Sequence, residues 1–182
     1  MSDGGLTSGV DDAVAGGDSG GDAGHDDDRP EGTDRVRADA AGRGLAVEIV
    51  ARPAADSLEA AAALLGLEPS DIVKSLVVKR HDGSFVFALV PGDRQISWAK
   101  LRSVVGVNKL SMPSADVALE ATGYERGTIT PMGSSTAWPV VADSRVTGRR
   151  VALGAGAHGF SAFVEADELV AAYDATVADI SD

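Results

Sequence analysis

IVKSLVVKR, residues 72–80, and SFVFALV, residues 84–90, decide how this chain folds. Both runs are rich in β-branched and aromatic residues. The three residues between them, His81, Asp82 and Gly83, are turn formers, so the pair reads as a β-hairpin. Side chains alternate along a strand, which puts Ile72, Lys74, Leu76 and Val78 on one face of the first run and Val73, Ser75, Val77 and Lys79 on the other. Lys74 thus interrupts an apolar face with a cation. If that face lines a pocket, the ammonium can clamp a phosphate as a point charge, or lose its proton where no anion arrives. The alternative is an edge-strand lysine whose stem lies on the sheet while its head reaches water.

Working outward from the hairpin, Pro69-Ser70 precedes it as a turn and Pro91-Gly92 follows it as another. Further upstream, Asp56 with Glu59 three residues later forms a capping-box pattern that opens an Ala- and Leu-rich helix ending at Gly66. Before it, LAVEIVA (45–51) alternates like a short strand that Pro53 closes. Downstream, Ser97 can cap a helix through WAKLRSVV to Gly106, and Ser114 another through ADVALEAT to Gly123. PVVAD, RVAL and FSAFVE read as strands, ADELVAAY as a helix and ATVADI as a last strand. Hairpins and helices mix without regular βαβ alternation. The expected fold is therefore α+β, a single domain over residues 45–182 with a mixed, curved, barrel-like sheet and helices around it.

Composition narrows the chemistry. A chain of 182 residues with 44% hydrophobic content supports one ordinary core. The absence of cysteine removes a disulfide framework, a thiolate nucleophile and a Cys-based zinc site. MSDGGLTSGV lacks the basic start and apolar stretch of a secretory signal, and no apolar run approaches the roughly 20 residues that span a bilayer, so a cytoplasmic protein without membrane association is expected. The formal charge of −12 argues against indiscriminate nucleic-acid binding. That charge is uneven: residues 1–44 hold 11 of the 28 acidic residues and 4 of the 16 basic ones. This Gly/Asp-rich stretch reads as a disordered acidic tail. His25 beside Asp26, Asp27 and Asp28 could attract a divalent ion weakly, but with no spacing fixed by a helix or strand no metal site is expected.

Two further segments could carry chemistry. GAGAHG places Gly154, Gly156 and Gly159 in a G-x-G-x-x-G pattern, but the strand-like FSAFVE follows where a dinucleotide fold needs a helix, so no nicotinamide or flavin cofactor is expected. Such a loop can let a ligand approach closely and offer backbone amides to a developing oxyanion, or it can simply turn the chain between strands. TGYERGTITPMGSS holds Gly123, Gly127, Pro131 and Gly133 and is too rich in breakers for a regular element. Within it Tyr124 could stack on a base or fill the core, and Thr128 could bind a ligand or satisfy its own loop. His158 is the histidine in a plausible loop of the folded part. Its spacing leaves open a Ser-His-Asp arrangement with Asp143, against a loop-bracing role.

Four blocks taken together resemble the YbaK/prolyl-tRNA-synthetase-associated editing family from about Leu45 to the end. They are DIVKSLVVK, FVFALVPGDRQIS, TGYERGTITPMG and VALGAGAHG, in that order. The resemblance implies a cofactor-free and metal-free hydrolase, a trans-acting aminoacyl-tRNA deacylase that cuts the ester joining a wrong amino acid to the terminal adenosine of tRNA. It also implies roles by position. Lys74 would hold the phosphate or sugar, with Gly154 and Gly156 as catalytic amide donors. Tyr124, Gly127, Thr128, Pro131, Gly133, Ala155 and His158 would shape the aminoacyl pocket. The implied partners are the aminoacyl-tRNA acceptor end and a synthetase or elongation factor that delivers it. The alternatives are a non-catalytic aminoacyl-tRNA or synthetase binding module of the same fold, and a small-ester hydrolase using His158. Met132, where the family commonly has an aromatic, and the SSTAWP link depart from its pattern and bear on pocket size.

Overall fold

The computed structural model describes residues 31–182, which form five α-helices and eight strands. The hairpin forms as read. β2 (Val73–Arg80) and β3 (Phe85–Pro91) pair antiparallel with Lys74 opposite Val90. β3 is buried along its whole length because it has cover on both faces. Phe85, Phe87 and Leu89 enter one apolar cluster with Val73 and Val77, while Val86, Ala88 and Val90 enter another with Val78 and Leu101.

Strand pairing extends this hairpin into a mixed five-stranded sheet. The order is β4 (Leu110–Ser111), β2, β3, β5 (Val140–Asp143) and β8 (Thr176–Ala178), with β3, β5 and β8 parallel. A separate antiparallel sheet holds β1 (Glu48–Ala51), β7 (Phe160–Glu165) and β6 (Arg150–Gly154) in that order. A single parallel bridge between Ile72 and Ala152 joins the two. The α+β reading holds. The barrel does not close, because β2 passes only this one bridge to β6, and a gap remains between the sheets beside it.

The helices α2 (Leu58–Leu65), α3 (Trp98–Val105) and α4 (Ala115–Thr122) begin at serine caps and stop at Gly66, Gly106 and Gly123. One cap differs from expectation. Ser57, not Asp56, accepts the Ala60 N–H at 3.0 Å, so α2 begins one residue later than the capping-box pattern placed it. α5 (Ala166–Ala172) lies between β7 and β8.

The expected boundary at residue 45 also moves. EGTDRVRADAAG forms a helix, α1 (Glu31–Gly42), that buries Thr33, Val36 and Ala40, and Val36 and Ala40 join the larger core cluster. Spacings of three and four put those side chains on one stripe, which the Asp, Arg and Gly around them mask in a composition count. The expected tail over residues 1–30 and the weak ion site at His25 lie outside the described residues.

Candidate functional site

The gap between the sheets is a cavity of about 420 Å³. Its walls are Ile72–Val77 along β2, Ala152–Gly154 at the end of β6, Phe160 and Ser161 at the start of β7, and the Arg126–Ile129 loop. Residues at the N-terminal ends of α2 and α4 close it, where unpaired N–H groups and the helix dipole favour negative charge. Three cations, Arg52, Lys74 and Arg126, line it against one carboxylate, Asp56. In a chain of net charge −12, this concentrates positive charge at one concavity.

Lys74 reaches the cavity from β2, half-buried, and its ammonium donates to the Arg94 carbonyl. Burial pulls its pKa down, and Asp93 and Glu59 offset that only in part, leaving it below the ordinary lysine value. Arg52 is held in place by its Nε, which donates to the Ser161 hydroxyl at 2.9 Å, and by its Nη1, which donates to the Pro53 carbonyl at 3.2 Å. Arg126 is exposed and makes no ion pair among the described residues. Ser75 also lines the cavity, and its hydroxyl oxygen is sealed from solvent with no hydrogen-bond partner among the described residues.

Glycine forms the opposite wall for a steric reason. A Cβ on Gly154 would lie 2.3 Å from the Ile129 carbonyl oxygen and 2.9 Å from that of Thr128, so only glycine lets the two segments meet. Gly156 sits at φ +80°, and its N–H donates to the Thr128 carbonyl at 3.0 Å.

The residues expected at the site therefore divide. Lys74, Gly127 and Gly154 line the one cavity. Gly156, Thr128 and His158 face a different depression behind the glycine wall, and the Gly156 amide is already bonded, which removes it as a free oxyanion donor. Tyr124 is 1% exposed and its hydroxyl donates to the Met132 carbonyl at 2.7 Å, so it fills the core instead of stacking on a ligand. Ala155 is wholly buried, Pro131 lines a separate cavity with Arg80 and Trp138, and Gly133 is bonded to α1. His158 is exposed and pairs with Glu125 at 3.0 Å, whereas Asp143 is buried and bonded to Arg145 and the Ile180 amide, so the two form no triad. Sequence reasoning missed Arg52, Ser75 and Arg126 at the cavity. Arg126 and Ser75 stand next to Gly127 and Lys74, and that adjacency was the available signal.

The model of a known family, described as the aminoacyl-tRNA editing domain, matches residues 52–172, a span that holds every wall of this cavity. The chain belongs to that family. The editing domain is 35% identical over 117 residues to the proline–tRNA ligase of Trichlorobacter lovleyi, which covers 64% of this chain and 20% of the ligase. It is 41% identical over 88 residues to that of Thermosipho africanus, covering 48% and 16%. The editing domain thus spans about a fifth or less of the length of these synthetases. Among solved structures, one described as a candidate trans-editing enzyme for prolyl tRNA synthetase superposes with a TM-score of 0.78 at 27% identity, covering 85% of this chain and 99% of that one. The hypothetical protein APE2540 superposes with a TM-score of 0.75 at 28% identity, covering 81% and 99%. Among the described residues no helix is long and apolar enough to cross a membrane.

Proposed function

We propose that this editing domain is a trans-acting deacylase, which hydrolyses the ester of a mischarged tRNA in the cavity between the two sheets. The observation that carries the reading is that Lys74, Gly127 and Gly154 line one cavity together with Arg52 and Arg126. A terminal adenosine brings a phosphate, and the cations favour it. The ester lies between a positive grip and a glycine wall that lets it approach closely.

Hydrolysis asks little more of the protein. A water, or the vicinal ribose hydroxyl acting ahead of water, adds to the ester carbonyl, and negative charge builds on the carbonyl oxygen. The bond to the ribose oxygen then breaks. That oxygen takes up a proton, and the amino acid leaves as its carboxylate. With the Gly156 amide committed to Thr128, the backbone amides at Gly127 and Gly154 are the proposed stabilisers of the developing charge.

Action in trans is supported by the near-complete coverage of the separate structure described as a trans-editing enzyme, against partial coverage of the synthetases. The proposed setting is cytoplasmic, with the acceptor end delivered by diffusion, a synthetase or an elongation factor. Incubation with tRNAs carrying Ala, Ser, Thr or Cys tests this. The expected result is multiple-turnover release of at least one amino acid, while gel-shift binding without release from any of them would leave a binding module instead.

A further inference from the structure

α1 lies upstream of the span that the family model matches, yet it grips both glycine segments of the site. The Arg35 guanidinium donates to the carbonyls of Thr122 at 3.2 Å, Gly123 at 3.3 Å and Gly133 at 2.6 Å, which are the two ends of the Gly123–Gly133 loop. It also lies 4.5 Å from the centre of the Tyr124 ring, on the face of the side chain that fills the loop. One turn further on, the Asp39 carboxylate accepts the Gly133 N–H at 2.9 Å and the Tyr173 hydroxyl at 2.5 Å. Arg35 and Asp39 together therefore hold the carbonyl and the amide of the same glycine.

The start of the helix meets the second segment. A Cβ on Gly32 would lie 1.9 Å from the Gly156 carbonyl oxygen, and one on Gly156 would lie 2.6 Å from that of Gly32. From there the contacts run to the cavity. The Gly156 N–H bonds the Thr128 carbonyl, and Thr128 and Ile129 press against Gly154. Arg35 touches none of the cavity itself.

We infer that α1 is the back plate of the editing site, and that Arg35 and Asp39 are positioning residues that fix the distance between the Gly127 and Gly154 walls and so the size of amino acid admitted. The inference rests on the deacylase reading. Cavity width acts on selectivity because it decides how far a side chain intrudes before it clashes. Loosening the plate would therefore relax discrimination as well as slow the reaction.

The test compares wild type, Arg35→Gln, Arg35→Lys and Asp39→Asn. Two readouts are used: backbone amide exchange, and hydrolysis of tRNAs carrying Ala and a bulkier residue such as Leu. Arg35→Gln is expected to speed exchange across residues 123–133 and at Gly156 while leaving β2 and β3 unchanged. Its kcat on the preferred ester should fall about tenfold with KM nearly constant, as expected when reacting groups are misplaced by a fraction of an ångström. The small-to-large ratio of kcat/KM should narrow several-fold, and Arg35→Lys should recover part of it. A merely structural role would scale both substrates by the folded fraction. An unmoved ratio in Arg35→Gln and Asp39→Asn, or unchanged loop exchange, overturns the inference. If wild type releases no amino acid at all, the deacylase proposal falls, and amide exchange alone then decides whether α1 holds the loops.

Discussion

Lys74 is the residue whose neighbours say most about chemistry, since burial lowers its pKa and no carboxylate bonds it directly. Removing a charged hydrogen bond to phosphate costs about 1.5–3 kcal/mol, so Lys74→Ala is expected to lower kcat/KM for a mischarged tRNA by about 10–100-fold with its melting temperature nearly kept. The pH dependence follows from sign. A lysine with a depressed folded pKa loses its proton below the ordinary value of about 10.4, so kcat/KM should decline on the alkaline side before that pH. In that window the unfolded chain binds the extra proton, so stability should rise with pH there. Lys74→Arg should move the activity decline beyond the accessible range, and a pH–rate profile of both proteins measures it. Gly154→Ala pushes a methyl into the Ile129 carbonyl, and overpacking of this kind costs about 1–3 kcal/mol. Denaturant unfolding reads the loss, together with a fall in activity. At this scale the sequence marked Lys74 because a cation breaks strand alternation. It did not mark Arg52, because the partner that fixes Arg52 is Ser161, 109 residues away.

Elements were legible where the chain punctuates itself. Serine caps and glycine stops bracket α2, α3 and α4, and the His81-Asp82-Gly83 turn joins β2 to β3. The cap of α2 separates two readings of the same residues. Ser57→Ala should cost about 1 kcal/mol and Asp56→Ala close to none, measured by chemical denaturation. α1 was read as part of an acidic tail because its one large apolar side chain is Val36, and the bonds that secure it, from Arg35 and Asp39 to Gly133, are long-range. Burial pushes the Asp39 carboxyl up, but bonds from Tyr173, the Gly133 amide and Arg43 outweigh it and hold the group below the usual range. Burial and the Asp39 bond push the Tyr173 hydroxyl well above its usual value, so this pair stays carboxylate and phenol throughout the neutral range. A depressed carboxylate stabilises the fold above its unfolded pKa and loses that contribution as pH falls through the folded one. The stability gap between wild type and Asp39→Asn should therefore be full at neutral pH and shrink below about pH 4, as thermal melts across that range would record.

For the molecule as a whole, the open gap between two sheets is what sequence could not supply, since it depends on where β2 leaves β6 after the Ile72–Ala152 bridge. Element order predicted a curved sheet with helices outside. The same order is compatible with a closed barrel, which would have no cavity. Charge is also distributed at this scale: residues 1–30 contain 8 Asp and 1 Arg, whereas the cavity collects Arg52, Lys74 and Arg126. Deleting residues 1–30 should tighten tRNA binding at low salt and lose that advantage as salt screens the charge, by titrations at several ionic strengths. The most direct test of where the acceptor end sits is amide chemical-shift mapping with a non-hydrolysable aminoacyl-adenosine phosphate. The expected outcome is shifts centred on Lys74, Gly127 and Gly154, with Arg80 and Trp138 at the separate cavity unmoved. Shifts centred on Arg80 and Trp138, with Lys74 unchanged, would contradict the account.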